Sequence, residues 1–169
     1  MKKIAPLLLA LATLLALPAC GLHPLYSNGS NGGVGQFLGS VQVAGIDGKA
    51  GWIMRNALQD RFGKSSDGGA RYRLDVELDD KITGFGLRRD VAVTRERRAL
   101  RARFKLVDST TGTTVLDATA GSDESVDVVS SEYAVIAAEN SALERLSQTV
   151  ADQIVSRVAL YAERTKQAK

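Results

Sequence analysis

The chain has 169 residues, 22 basic and 19 acidic side chains, a formal charge of +3, one histidine and one cysteine. Lys2 and Lys3 sit in the first 19 residues, so the remaining 150 carry 20 basic against 19 acidic groups. That length suits one compact domain with a tail, the near-neutral balance gives nucleic acid no electrostatic purchase, and a lone cysteine has no intrachain disulfide partner.

Lys2 and Lys3 precede an apolar run over residues 4–17, closed by small residues, which is the layout of a secretory signal. The run is short of the roughly 20 residues a membrane-crossing helix needs. Its end, Leu17-Pro18-Ala19-Cys20, resembles the lipobox of bacterial lipoprotein signals. That resemblance implies cleavage before Cys20, a diacylglycerol thioether on its sulfur and an acyl group on its new amine. Two or more chains anchor stably where one binds marginally. Gly21, where inner-membrane lipoproteins often carry aspartate, points to the periplasmic face of the outer membrane. The other reading is an ordinary signal peptide with an incidental cysteine.

Residues 27–40, SNGSNGGVGQFLGS, are rich in glycine, serine and asparagine and offer little to bury, so they read as tether or loop. Within them GVGQFLG misses a dinucleotide fingerprint, because the third glycine comes one place late and the tract precedes a strand. VQVAGI, residues 41–46, alternates as a strand does. Asp47 is then a helix cap, Trp52, Ile53, Met54, Ala57, Leu58 and Phe62 recur at helical spacing, and Gly63 suits the stop. Trp52 in that stripe is expected to pack in the core.

RYRLDVEL places Tyr72, Leu74, Val76 and Leu78 on one face and Arg71, Arg73, Asp75 and Glu77 on the other, a half-buried strand. LRARFKL repeats the pattern, with Leu100, Ala102, Phe104 and Leu106 inward and Arg101, Arg103 and Lys105 outward. A turn-like DSTTG leads into a third strand, TTVLDATA. The intervening link at residues 79–93 contains Gly84 and Gly86 and predicts a hairpin extension or loop. From Glu132 to about Gln167 there is no glycine or proline, while Ile136, Leu143, Leu146, Val150, Ile154, Val158 and Tyr161 recur every three, four or seven residues. This predicts one long amphipathic helix, capped by Ser131, with Arg157 and Arg164 toward its C-terminus.

The expected fold is an α+β two-layer sandwich in the order β-α-β-β-β-α, with two helices on one face of a four-stranded, mainly antiparallel or mixed sheet. In domain terms, residues 1–19 form the leader, 20–39 a lipidated N-terminus and tether, 40–165 one α+β domain and 166–169 a tail.

No catalytic constellation is present: His23 is the only histidine, zinc-ligand spacing and phosphate-binding loops are missing, and Asp79-Asp80 and Asp123-Glu124 read as solvated charge. The expectation is a non-enzyme without a metal or other cofactor. Charge is nevertheless segregated. Residues 88–105 hold Arg88, Arg89, Arg95, Arg97, Arg98, Arg101, Arg103 and Lys105 against Asp90 and Glu96, whereas residues 107–144 hold eight acids and no base. One reading pairs Asp75 and Glu77 across a hairpin with Arg101 and Arg103. The other takes the eight bases as a site for a polyanion, since arginine's planar fork matches phosphate. In an outer membrane the abundant phosphorylated molecule is lipopolysaccharide.

The opening CGLHPLY, followed by ARYRLDVEL, ALRARFKLVDSTTGTTVL and SEYAVIAAENSALERLSQTVADQIVSRVALY, resembles the LptE family of lipopolysaccharide-assembly lipoproteins over most of residues 20–161. The resemblance implies a non-enzymatic subunit that plugs the outer-membrane β-barrel LptD, assists its assembly and helps deliver lipopolysaccharide to the outer leaflet. It assigns no particular arginine to the lipid. A competing expectation is an outer-membrane lipoprotein that activates a peptidoglycan synthase or another envelope partner.

Overall fold

The computed structural model describes residues 32–63, 69–87 and 93–167, without the side chains of residues 86, 87, 93 and 167. Seven elements follow in order: α1 (Gly33–Gly39), β1 (Val41–Val43), α2 (Gly48–Phe62), β2 (Tyr72–Leu87), β3 (Val93–Asp108), β4 (Thr114–Asp127) and α3 (Glu132–Gln167). The strands form one sheet in the order β1-β2-β3-β4. β1 runs parallel to the start of β2, pairing Val41 with Tyr72 and Val43 with Leu74, because α2 carries the chain back between them. The other two pairings are antiparallel. The expected α+β sandwich with its meander is therefore present, with one helix added at the front.

Alternation decides which side of the sheet is buried. Tyr72, Leu74 and Val76 on β2, Leu100, Ala102, Phe104 and Leu106 on β3, and Ala120 on β4 all point toward the helices and are buried. Across from them lie Met54, Ala57, Leu58 and Phe62 of α2 and Leu143, Leu146, Val150, Ile154 and Val158 of α3. Alanines 151 and 159, both fully buried, let the long helix approach closely. α3 has 36 residues and so extends about 54 Å, matching the ~53 Å of the 16-residue β2. Its buried residues run from Ala142 to Ala162, whereas Tyr133 and Ile136 near its start are exposed. At its start the Ala134 amide donates to the Ser131 hydroxyl over 3.4 Å, the cap expected there.

Three expectations need correction. Gly33–Gly39, inside the stretch read as tether or loop, is helical. Its three glycines disfavour a helix, but Val34 and Leu38 are buried and Phe37 stacks on Tyr72 at 4.6 Å and on Tyr161 at 6.0 Å, so tertiary burial offsets propensity. Trp52, assigned to the core, is 67% exposed. Gly51, one place earlier, takes the buried position, and a Cβ there would come within 2.5 Å of the Ile46 carbonyl oxygen. Close approach of the entering loop turns the tryptophan outward. Ile136 is also 47% exposed, near the start of α3.

Asp47 occupies the cap position of α2 in an extended conformation, but its side chain makes no capping hydrogen bond. Gly63 ends the helix with φ 82°, in the left-handed region where glycine is favoured.

Candidate functional site

The side of the sheet away from the helices carries a ladder of charge. Alternation and register put Arg73, Asp75, Glu77, Asp79 and Lys81 of β2, Arg95, Arg97, Arg101, Arg103 and Lys105 of β3, and Asp117, Asp123 and Asp127 of β4 on it. Glu77 faces Arg103, as expected, but Asp75 faces Lys105 and Arg101 faces Asp79. The ion pairs mostly go to the other neighbour. Arg95 bonds Asp127 at 2.8 Å, Arg101 bonds Asp123 at 3.2 Å and Arg103 bonds Asp117 at 3.0 Å. The Arg103 guanidinium holds the Asp117 carboxyl below the usual carboxylate range, and that carboxylate raises Arg103 in return. On β2 the pairs lie within the strand, Arg73 with Asp75 and Lys81 with Asp79.

These contacts revise the arithmetic of charge. Counted against its own hairpin partner, the basic strand is in large excess; counted with β4, this face holds seven basic and six acidic side chains among the described residues. The acidic run downstream in sequence is brought beside the basic one by strand pairing. Arg97 and Lys105 are the two basic residues of this face that make no ion pair among the described residues, and Arg97 is exposed. Arg88 and Arg89 lie outside the described residues, as do Cys20 and His23.

Arg98 leaves the cluster. It points to the helix side, where its side chain is 10% exposed, pairs with Asp80 through two hydrogen bonds of 2.5 and 2.9 Å, and donates to the Glu139 carbonyl at 2.7 Å. It ties β2, β3 and α3 together. Beside it the Oε2 of Glu96 is buried with no donor facing it among the described residues. Burial, and then the hydrogen-bonding Glu139 carboxyl, push Glu96 above the ordinary glutamate range, because two carboxyls bond only if one keeps its proton.

Arg101 crosses β4 at Gly121, where a Cβ would run into its Cδ, and reaches the Ser122 carbonyl at 2.8 Å. On the outer edge of the same residue, the Gln153 amide of α3 accepts from the Gly121 N–H at 3.1 Å and donates to its carbonyl at 3.3 Å. Around this crossing lies a cavity of about 720 Å³ lined by Arg101, Arg103, Thr119, Gln153 and Arg157 among others. Arg157 is exposed and has no ion pair among the described residues. Sequence reading placed it only near a helix end; its spacing of four from Gln153 was the available signal, but nothing local shows that this helix face borders β4.

The far end of the sandwich is different again. Ile82, Phe85, Val129, Tyr133 and Ile136 are exposed there, Tyr133 by 89%. No group of three potential metal ligands occurs among the described residues, and none of their helices is long and apolar enough to cross a membrane.

Fold and site together define a small α+β sandwich whose open face offers paired charge and whose tip offers apolar side chains, the properties of a binding or assembly subunit. Residues 38–158 match the family described as "LptE: Lipopolysaccharide-assembly", and the chain belongs to that family. Solved structures with the same fold include a lipoprotein from Caulobacter crescentus, 22% identical with a TM-score of 0.65, covering 78% of this chain and 96% of that one. A minor lipoprotein from Acinetobacter baumannii is 16% identical, TM-score 0.58, over 72% of this chain and 91% of that one. The rare lipoprotein B of Shewanella oneidensis is 11% identical, TM-score 0.59, over 75% and 98%. No curated protein sequence matches the chain.

Proposed function

We propose that this chain is an outer-membrane lipoprotein, anchored on the periplasmic face through acyl chains on Cys20, which seats in the LptD β-barrel as a plug and assists lipopolysaccharide insertion without catalysing a reaction. Membership of the lipopolysaccharide-assembly family over residues 38–158 carries the reading. The paired charge of the open face supports it, since such a surface suits the polar lumen of a barrel, and the exposed Ile82, Phe85 and Tyr133 suit burial against a protein wall.

Lipopolysaccharide phosphate contacts fall to the basic residues least committed to internal pairs. Arg97 and the exchangeable Arg101 and Arg103 are offered on the open face, with Lys105 and Arg157 beside them; Arg88, Arg89 and Arg95 complete the set. Arg98 is excluded by its burial and its bonds to Asp80 and Glu139.

Purification of the full chain through a C-terminal tag in mild detergent tests the partner. A heat-modifiable β-barrel recovered in stoichiometric amount is expected. Recovery of the lipoprotein alone, or with a peptidoglycan synthase in place of the barrel, overturns the reading.

A further inference from the structure

β1 has three residues and β2 has sixteen, so β2 continues far beyond its parallel neighbour. Their pairing ends where the Ala44 N–H donates to the Leu74 carbonyl at 3.0 Å, and at its start the Tyr72 N–H donates to the Ser40 carbonyl at 3.1 Å. The even-numbered residues of β2 therefore turn their backbone N–H and C=O groups to the β1 side, and the odd-numbered ones turn theirs to β3. The register with β3 runs unbroken from Tyr72 opposite Asp108 to Phe85 opposite Arg95, which carries this alternation through Gly84. Past the end of β1, the backbone groups of Val76, Leu78, Asp80, Ile82 and Gly84 line an outer edge about 30 Å long. None of them has a hydrogen-bond partner among the described residues.

Open edges are ordinarily blunted by bulges, prolines, unpaired charge or a covering group. The edge at β4 has such a cover, since Gln153 bonds both outward groups of Gly121. The β2 edge has no bulge and no proline between Val76 and Phe85. Its central charges are already taken up, Lys81 by Asp79 at 3.0 Å and Asp80 by Arg98 at 2.5 Å. Ile82 to Phe85 carries no charge at all, and Ile82 and Phe85 are both more than two-fifths exposed. The open edge thus runs into the exposed apolar tip.

Donors and acceptors repeating every second residue along a straight line match an extended peptide backbone and little else. We infer that the outer edge of β2 from Val76 to Gly84 takes an extended segment of a partner polypeptide, added to the sheet as a fifth strand. The fitting segment is uncharged where it meets Ile82 to Phe85 and apolar at the alternate positions beside Leu78 and Ile82. A second copy of this chain is the poorer occupant, because antiparallel self-pairing with the greatest overlap of this stretch sets the two Asp80 carboxylates opposite each other. The inference rests on the barrel reading above only for the source of the strand: a plug seated in a lumen meets that barrel's own chain along this edge.

The test is hydrogen exchange at single-residue resolution on the full chain, once expressed alone and once recovered through a C-terminal tag from its own membranes in mild detergent. Alone, the amides of Leu78, Asp80, Ile82 and Gly84 are expected to exchange fast beside the protected amides of Asp79, Lys81 and Thr83. In the recovered assembly they are expected to slow about tenfold or more. Equal exchange in the two samples overturns the inference. Protection that grows with concentration in the chain alone assigns the edge to a second copy and overturns the partner. Ile82→Pro removes the outward N–H, whereas Ile82→Ala keeps it. The proline variant is expected to retain at least tenfold less partner than the alanine variant, and equal retention reduces the contact to side chains and overturns strand addition. A barrel recovered with the edge unprotected sinks this inference alone; an edge protected by a polypeptide other than a barrel supports it and sinks the plug reading.

Discussion

Two adjacent arginines show how little sequence proximity says about role. Arg97 stands on the open face without an acid beside it among the described residues, whereas Arg98 is buried against Asp80 and Glu139. Replacing Arg98 by alanine leaves the Asp80 carboxylate and a helix carbonyl short of donors in a partly buried place, which costs about 1.5–3 kcal/mol. Arg97→Ala changes stability by less than about 0.5 kcal/mol. Urea denaturation of the two variants separates them, and equal losses contradict the assignment. Glu96 gives a prediction of opposite sign. Its carboxyl holds a proton to a higher pH in the folded chain than in the unfolded one, so its contribution is fully present below the ordinary glutamate value, near pH 4.3, and is lost as pH rises through the raised value. Glu96→Gln, which keeps a donor toward Glu139 at every pH, stabilises the fold at pH 7 and flattens the dependence above about pH 4. Denaturation midpoints across that interval read the difference; a glutamine variant less stable at pH 7 refutes it.

At the scale of elements, burial outweighs local preference at both ends of the helical layer. α1 holds its short, glycine-rich length because Val34 and Leu38 reach the core, so Leu38→Ala costs about 2–4 kcal/mol. Trp52→Ala, despite removing a much larger side chain, stays within about 0.5 kcal/mol, since the ring is mostly in solvent. Calorimetry of the pair decides which residue belongs to the core. β4 is an edge strand, and open edges invite pairing with other chains. Gln153 occupies both outward-facing backbone groups of Gly121. Its replacement by alanine costs about 1–2 kcal/mol and promotes self-association at high concentration, followed by light scattering; a monodisperse, equally stable variant shows the clamp to be dispensable.

For the whole molecule, the charge ladder matters more than any one pair. Each exposed pair contributes only ~0–1 kcal/mol, yet five of them fix which bases remain free to meet a partner. Joint replacement of Arg97, Arg101 and Arg103 by glutamine is expected to weaken lipopolysaccharide binding roughly tenfold at low salt and to make the remainder less salt-sensitive. Equilibrium binding at two ionic strengths checks it, and an unchanged affinity in the folded variant refutes the proposed lipopolysaccharide contacts of these residues.

What the sequence by itself determined is the part of the fold written in periodicity: the alternation of β2 and β3, the long helix, the turn before β4 and hence the sandwich. These are local signals, with periods of two and 3.6 that survive any tertiary arrangement. Tertiary structure decided everything that depends on which segments become neighbours. The register that gives Arg95, Arg101 and Arg103 their acids on β4, the burial of Arg98 against Asp80 and Glu139, and the folding of Gly33–Gly39 onto Tyr72 and Tyr161 all join residues distant in the chain. Coulomb attraction and burial act through space, so basic and acidic runs that look like two separate surfaces in the sequence become one nearly balanced face once the strands pair.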